Sequence, residues 1–191
     1  MGNKVQWGLC RMAYAVITEG VDGSITYGTP VPMPGAVDFS SAPLGDTTEY
    51  EADNIIFHRA QGNDGYDLEL KLATLPESYN ADVLGETLDS NGVLVETSAS
   101  EIKRVAILGQ FEGDVHKKRF IFYNCLPERV GEKGGTSRKK DPSTGEKTIK
   151  LTADPRLNDL TIKATTTAET NQAIYDAWFD TVYAGAVKPS P

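Results

Sequence analysis

Residues 66–75 read YDLELKLATL and alternate apolar with charged side chains. Leu68, Leu70 and Leu72 fall on one side of this alternation, and a charged residue stands between each pair of leucines. Because successive side chains of a β-strand point to opposite faces, the spacing predicts a strand with one buried and one solvated face. This stretch sets the fold class, since the same period recurs along much of the chain.

The alternation returns twice near the carboxyl end. TIKLTA (148–153) and LTIKATT (160–166) each place apolar residues at every second position. The first would bury Ile149, Leu151 and Ala153, and the second would bury Leu160, Ile162 and Ala164. Two further runs, 104–111 and 119–125, are continuously apolar, as in strands covered on both faces. Three more segments have the composition of strands: 12–18, 24–30 and 52–60.

Two helices are predicted. The segment 76–85 begins with a proline and an acidic first turn and ends at a glycine, which is typical of a short helix. The second runs from about Glu169 to Tyr183, with Thr166 and Glu169 at capping-box spacing and Gly185 at the position of a C-cap glycine. At least eight strand candidates with so few helices predict a single mostly-β domain over residues 1–191, of sandwich or barrel-like form.

The C-terminal helix carries more apolar surface than one sheet face usually needs. One stripe joins Ile174, Ala177, Trp178 and Val182, and a second stripe beside it joins Tyr175, Phe179 and Tyr183. Two interpretations stay open. The helix is either packed deeply within its own domain, or its second stripe is a candidate interface with a neighbouring subunit.

Charge is distributed unevenly over a chain of net charge −8. Residues 1–115 carry 6 Lys and Arg against 18 Asp and Glu, whereas residues 128–150 carry 7 against 4. A general nucleic-acid binder would show a basic domain face instead. Long polar connections are expected at about 40–52 and 128–147, with a loose tail at 186–191.

The cations of the second connection suggest two roles. Its segment GGTSRKKDPSTGEKT (134–148) only imitates a P-loop, because Gly145 is followed by Glu146 and a strand pattern comes next where a helix is required. Arg138, Lys139 and Lys140 are therefore either a docking arm for an acidic neighbour or solvated charges that aid solubility.

No pattern in the sequence predicts catalysis, a metal or another cofactor. His58 and His116 stand apart from any cysteine, which favours a structural role for each, and Cys10 and Cys125 lack partner spacing, which favours reduced, buried thiols. There is no G-x-S-x-G motif and no complete calcium loop, and SNGV (90–93) is better explained as a tight hairpin turn. No run of about eighteen apolar residues occurs, so no membrane helix is expected.

Several segments, taken in order, resemble one family. They are WGLCRMAYAVITEGVDGSITYGTPVPMPGAVDFS (7–40), EYEADNIIFHRAQGNDGYDLELKLATLPESY (49–79), VLGETLDSNGVLVET (83–97), FIFYNCLPERV (120–130) and EKTIKLTADPR (146–156). Together they are similar to the siphophage major tail proteins, the tail tube subunits of phages with long non-contractile tails. The resemblance spans roughly residues 5–156 and includes no motif of catalytic residues.

The resemblance implies a non-enzymatic virion protein with the phage tail tube fold. It implies six-membered rings that stack into a tube around the tape measure protein, and later around DNA that passes without specific binding. A tail terminator and distal tail proteins would be further partners, and the subunit would be assembled in the host bacterial cytoplasm. Inner strands would join edge to edge between subunits, and an arm would reach a neighbouring subunit or ring.

The acidic body suits a channel for DNA, because like charge prevents phosphate adhesion. Asp67 and Glu69 are candidates for the lumen but could equally face outward, so the lumen-lining residues stay unassigned. Within assembly proteins the alternatives are a tail terminator and a secretion-tube subunit. The alternative from another class is a small β-sandwich module for binding or hydrolysis, which would stay monomeric and present a pocket.

Overall fold

A computed structural model describes residues 8–20, 24–52, 55–113, 116–132 and 145–185. Within these ranges the chain forms thirteen strands, two short α-helices and one 3-10 turn. The strands are β1 Leu9–Glu19, β2 Ile25–Tyr27, β3 Val31–Pro32, β4 Ala36–Leu44, β5 Thr47–Ala52, β6 Ile55–Gln61, β7 Gly65–Leu72, β8 Thr87–Leu88, β9 Leu94–Val95, β10 Val105–Phe111, β11 Arg119–Pro127, β12 Lys147–Asp154 and β13 Lys163–Thr165. The helices are α1 Glu77–Asp82 and α2 Gln172–Asp176, and the 3-10 turn is Ala177–Phe179. The mostly-β prediction is confirmed.

One antiparallel sheet dominates the described part of the chain. Its strands run in the order β2-β1-β10-β11-β12-β7-β4, with β3 also paired to β1 and β13 also paired to β11. The strands β5 and β6 pair only with each other in the described residues, and so do β8 and β9. This organisation leaves β2 and β4 as the two outermost strands of the large sheet.

The predicted alternation builds the middle of the sheet. On β7 the three leucines at 68, 70 and 72 are 2 % exposed or less, and the charged residues between them face solvent or lie half-buried. Leu70 pairs with Ile149 and Leu68 with Leu151 across β7 and β12. These buried cross-strand pairs fix the register, because a slip by one residue would turn every apolar side chain to solvent.

Strands β1, β10 and β11 are buried on both faces. One face joins a large cluster that includes Tyr14, Ile107 and Phe122 and is covered by α1 through Tyr79 and Val83. The other face forms a second cluster of Ala13, Ala15, Ala106, Leu108, Ile121, Tyr123 and Trp178, the last from the C-terminal 3-10 turn. The continuous apolar sequence of these strands reflects this double burial.

The predicted polar connection at 40–52 is wrong. Most of it is strand, because β4 continues to Leu44 and β5 begins at Thr47. Strand β4 hydrogen-bonds to β7 on one side and keeps most of its side chains exposed, so its sequence carries no apolar alternation. The predicted hairpin turn at SNGV is present, since Gly92 adopts a φ of 80° between β8 and β9.

The C-terminal helix is shorter than predicted. It starts at Gln172, where the Asn171 side chain accepts a hydrogen bond from the Ala173 N–H at 2.9 Å, and the helical turns end at Phe179. The predicted capping box fails because Thr166 is used by the sheet. Its hydroxyl accepts a hydrogen bond from the Arg119 N–H at 2.8 Å.

The predicted strand face at 160–166 holds only in part. Ile162 is buried, but Leu160 is 73 % exposed and lies in a turn with a φ of 57°. The turn is closed by a hydrogen bond from the Leu160 N–H to the Arg156 carbonyl at 2.9 Å. Strand β13 therefore starts only at Lys163.

Candidate assembly surfaces

A long β-hairpin extends from the sheet between residues 36 and 72. Its base is the β4–β7 pair and its outer part is the β5–β6 pair, so the chain runs out along β4 and β5 and returns along β6 and β7. The two parts are joined by hydrogen bonds from the Gly62 N–H to the Asp46 carbonyl and from the Asp64 N–H to the Leu44 carbonyl, each 3.0 Å long.

Gly45 explains why the hairpin can change direction at this junction. It has a φ of 147°, and a Cβ atom there would lie 2.2 Å from the Gly62 carbonyl oxygen. Only a residue without a side chain lets the two strands approach so closely. Gly45 therefore permits a close backbone contact at the junction between the sheet and the outer hairpin.

In the outer hairpin β5–β6, the side chains at 47–49 and 58–61 are described. Residues 47–49 and 58–61 are exposed, and no member of either core cluster comes from this hairpin within its described side chains. An exposed ion pair between Arg59 and Glu49, 2.6 Å apart, bridges the two strands. A two-stranded hairpin in water is marginally stable at best, so a partner surface is the expected source of its order.

The C-terminal segment is held by buried polar contacts that the sequence analysis did not find. Arg119, 7 % exposed, donates to the Tyr175 carbonyl and to Gln110 Oε1. Arg156, 2 % exposed, donates to the Ala184 carbonyl at 3.0 Å and pairs with Asp159. Arginines are rarely buried this deeply, so sequence alone offers no signal for them.

Two aromatic groups complete this attachment. Tyr123 donates its hydroxyl hydrogen to the Tyr183 carbonyl at 2.7 Å, and burial raises the pKa of that phenol. Trp178 packs in the second cluster and donates to the Phe120 carbonyl at 3.5 Å. The chain from 171 to 185 is thereby fixed along one face of the sheet.

The predicted helix interface residues lie mainly against their own subunit. Tyr175 is half-buried, stacks on the Arg119 guanidinium at 3.7 Å and donates to the Lys117 carbonyl. Phe179 and Tyr183 are half-buried against the second cluster. Trp178 and Val182 of the first stripe thus share one surface of the sheet with Phe179 and Tyr183 of the second, whereas Ile174 is exposed.

Asp67 and Glu69 lie on the polar face of the β4–β7–β12 part of the sheet. A shallow depression of about 310 Å³ is lined there by these two acids together with Ser40, Ala42, Glu128, Lys150 and Thr152. Lys71 contacts Asp38 at 3.4 Å and Glu69 at 3.5 Å, and these interactions raise the pKa of the lysine. The face is polar along its length and carries more acids than lysines.

The candidate docking arm Arg138, Lys139 and Lys140 lies outside the described residues, as does the predicted tail 186–191. The described ends of the connection come together, because Lys147 pairs with Glu132 and the Glu128 N–H donates to the Lys150 carbonyl at 2.8 Å.

The two cysteines are free thiols. Cys125 is fully buried, and burial raises its pKa, whereas Cys10 is only half-buried. His58 and His116 are both exposed, and the His116 carbonyl lies 3.4 Å from the Tyr175 hydroxyl. No three His, Cys, Asp or Glu side chains of the described residues come together where they could hold a metal ion.

None of the helices in the described ranges has the length and apolar character needed to cross a membrane.

Comparison with solved structures gives distant likenesses over most of the chain. The tube-terminating cap of the anti-feeding prophage is 14% identical, with a TM-score of 0.46, over 88% of this chain and 97% of that one. The sheath-tube complex of the PVC extracellular contractile injection system in its extended state is 15% identical, with a TM-score of 0.46, over 83% and 89%. Its sheath/tube terminator is 11% identical, with a TM-score of 0.44, over 82% and 94%.

No curated protein sequence gives a significant match. The model of one family, described as phage tail tube protein, matches residues 2–174, which is nearly the whole chain. The chain therefore belongs to the phage tail tube protein family, a class of non-enzymatic structural proteins of the virion tail.

Proposed function

We propose that this chain closes into six-membered rings that stack into the tube of a long non-contractile phage tail. The tube would be assembled in the host cytoplasm around a tape measure protein, be closed by a terminator and distal tail proteins, and later conduct the DNA. The single observation that carries the proposal is the family match over residues 2–174. The exposed outer hairpin Thr47–Gln61 supports it, because such an element needs a partner.

The ends of the large sheet supply a second support. Strand β4 is an outermost strand of nine residues, and Pro43 stands near its end. Unpaired strand edges attract other strands unless they are covered. Pairing of sheet edges between subunits would satisfy these backbone groups and close a ring.

We also propose that the polar face of β4, β7 and β12 lines the channel. Asp67 and Glu69 face away from the core there, and the face carries small and charged side chains without an aromatic group in its depression. A surface of this kind repels phosphates and offers no stacking partner to a base.

The connection 128–147 is proposed as the docking arm, with Arg138, Lys139 and Lys140 meeting acids of an adjacent subunit or ring. Reversing these three charges should shorten or abolish tubes scored by electron microscopy, and tubes of normal length would contradict the arm. Raising the salt concentration should weaken the same contact, since exposed ion pairs are screened.

The exposed parts of Tyr175 and Tyr183 are proposed to meet a neighbouring subunit. Tyr175→Glu is the more informative variant, because a glutamate there can still pair with Arg119 and keep the helix in place. A smaller particle on size exclusion would support the interface, and an unchanged oligomer would contradict it.

Negative-stain microscopy of the concentrated protein tests the function itself. Hollow filaments of uniform width are expected, with six subunits in each cross-section. Single rings that do not stack would identify a terminator instead. A monomer at every concentration would overturn the proposal.

A further inference from the structure

A groove rich in phenylalanine opens between β4, β10, β11 and β13. Its volume is about 230 Å³, and its apolar walls are Phe39, Phe111, Phe120 and Phe122. Ring centroids of Phe39 and Phe120 are 4.9 Å apart in a stacked arrangement. The space matches one or two aliphatic side chains and is too small for a folded element.

Two lysines border this groove. Lys118 and Lys163 both line it, and Lys163 Nζ lies 4.1 Å from the centroid of the Tyr66 ring. Among the described residues, no carboxylate lies within ion-pair distance of either lysine. The phenylalanine groove therefore combines an apolar floor with a positive rim, and an occupant with an apolar side chain and negative charge would fit it.

The hairpin β8–β9 has the complementary chemistry. Leu88 is 64 % exposed and Val93 is 55 % exposed, which is unusual for neighbouring large apolar residues. The surrounding segment 76–102 contains six Asp and Glu and no Lys or Arg. Glu86 directly precedes β8, and Asp89 directly follows it.

The hairpin presents these side chains in a fixed shape. Asp89 Oδ1 accepts hydrogen bonds from the Asn91 and Val93 N–H groups, both at 2.8 Å, and the Asp89 N–H donates to the Val93 carbonyl at 2.9 Å. Leu88 pairs with the half-buried Leu94 across the hairpin. A turn ordered in advance loses little entropy when it docks.

A second exposed pair of leucines, Leu157 and Leu160, fits the groove less well. Leu157 directly follows Arg156 and Leu160 directly follows Asp159, and these two charged residues pair with each other and leave the loop without net charge. Charge complementarity with Lys118 and Lys163 thus selects the hairpin and not this loop.

We infer that the hairpin β8–β9 of one copy docks into the phenylalanine groove of a second copy. Leu88 enters the groove, and Glu86 and Asp89 approach Lys118 and Lys163 at its rim. The two surfaces differ, so the contact is head to tail and propagates from subunit to subunit. The inference rests on the proposed self-assembly and names one of its interfaces.

Disulfide trapping between two singly substituted copies tests this contact. A Leu88→Cys chain is mixed with a Thr165→Cys chain, both carrying Cys10→Ser so that buried Cys125 is the remaining native thiol. Mild oxidation should give a covalent dimer in the mixture and little in either chain alone. A Leu157→Cys chain mixed with Thr165→Cys is the matched control and should give about tenfold less dimer.

Reversing the charges at the rim of the groove tests whether they contribute to the yield of covalent dimer. Lys118→Glu with Lys163→Glu in the Thr165→Cys chain should lower the dimer yield about tenfold, and Glu86→Lys in the Leu88→Cys chain should restore part of it. Wild-type filaments without the specific dimer would overturn this inference and leave the proposed function intact. A monomer without the dimer would overturn both, and equal yields from Leu88→Cys and Leu157→Cys would overturn the choice of the hairpin.

Discussion

The strands β1, β10 and β11 and the outer hairpin β5–β6 are both antiparallel β-structure, but they obtain their order differently. The three central strands are buried on both faces, with Tyr14, Ile107 and Leu108 fully inaccessible to solvent. The outer hairpin exposes the described side chains of both strands and joins neither core cluster. The first region is stabilised by the subunit itself, and we expect the second to obtain its order from a partner surface.

We expect substitutions in the two regions to have different consequences. A residue in the doubly buried region contributes to the free energy of unfolding, because its contacts exist in the isolated chain. We expect a residue in the outer hairpin to contribute to association instead. The two regions should therefore separate cleanly in mutants, with stability changed by one and tube formation by the other.

Removal of the outer hairpin should have the largest effect. Deleting Thr47–Gln61 joins Asp46 to Gly62, whose backbones already share a hydrogen bond of 3.0 Å. Tube formation should be lost, while the free energy of unfolding of the subunit changes by about 0.5 kcal/mol or less. Urea denaturation and negative-stain microscopy measure the two quantities on the same preparation.

The control exchanges charges within the hairpin. Glu49→Arg with Arg59→Glu keeps the cross-strand ion pair in the reverse sense and should still assemble if the hairpin's shape is what matters. Tubes from the deleted chain would show that the outer hairpin is not needed. A deleted chain that fails to fold would contradict the separation of the two regions.

Trp178→Ala should produce the largest loss of stability among the substitutions. The indole is 3 % exposed, stacks on Tyr183 with ring centroids 5.7 Å apart, and covers the second face of the sheet. Truncation of a buried aromatic side chain costs about 3–5 kcal/mol. Urea denaturation at constant protein concentration gives the value.

Ile174→Ala, in the helix α2 directly before the 3-10 turn, is the matched control. Ile174 is 37 % exposed, so its truncation should lower the free energy of unfolding by only about 0.5 kcal/mol. Similar losses for both variants would mean that the C-terminal segment is not attached mainly through Trp178.

Arg156→Met should destabilise the subunit by about 2 kcal/mol, since it removes hydrogen bonds made by a charged donor. The methionine keeps an apolar contact with Tyr123, over which the guanidinium now lies at 4.2 Å. The Ala184 carbonyl loses its hydrogen bond from Arg156, and Asp159 loses its ion pair but keeps the hydrogen bond from the Thr161 N–H at 3.1 Å. Thermal or urea unfolding of the single variant gives the loss.

A double-mutant cycle with Asp159→Asn separates the ion pair from the packing. The double variant should cost less than the sum of the two single variants, because Asp159 no longer carries a charge without an ion-pair partner. Additive losses would show that the two side chains do not interact energetically.

How much of the fold could be predicted depended on burial. Strands β7 and β12 were predicted well because one face of each is buried, so apolar residues such as Leu70 and Ile149 recur at every second position. Strand β4 was missed because it lies at an edge and most of its side chains, among them Ser40 and Ser41, are exposed. A strand that buries little leaves little periodicity to detect.

Tertiary contacts override local signals at the carboxyl end. Thr166 has the spacing of a helix cap but bonds to the Arg119 backbone in the neighbouring strand, so the helix begins six residues later. The buried positions of Arg119 and Arg156 depend on carbonyl groups that lie 56 and 28 residues away in sequence. Local composition contains no information about such distant partners.

The sequence offered candidate assembly surfaces through apolar stripes, charge and resemblance, but not the hairpin β8–β9 or the phenylalanine groove. The family was identified from several sequence segments that occur in a consistent order along the chain. The match to residues 2–174 confirms it at the level of phage tail tube proteins. Surfaces that act by packing need no characteristic sequence motif. Leu88 was therefore found from the exposure of its side chain, and the phenylalanine groove from the residues that the fold brings together.

The smallest effect concerns Tyr14, a residue of the doubly buried region, and is confined to alkaline pH. The pKa of this phenol is raised from 10.0 to about 12, above all by burial; a hydrogen bond with Ser78 lowers it, and Asp82, which accepts the phenolic hydrogen bond at 2.9 Å, raises it. The folded chain then holds the phenolic proton more tightly than the unfolded chain, so this contribution is complete below pH 10 and is lost as the pH rises from 10 towards 12. Tyr14→Phe removes the ionisable group and should show a shallower decline of stability over that interval in urea denaturation. The difference in ultraviolet absorbance between the two proteins should place the ionisation near pH 12, and a midpoint near 10 would mean that water reaches the centre of the sheet.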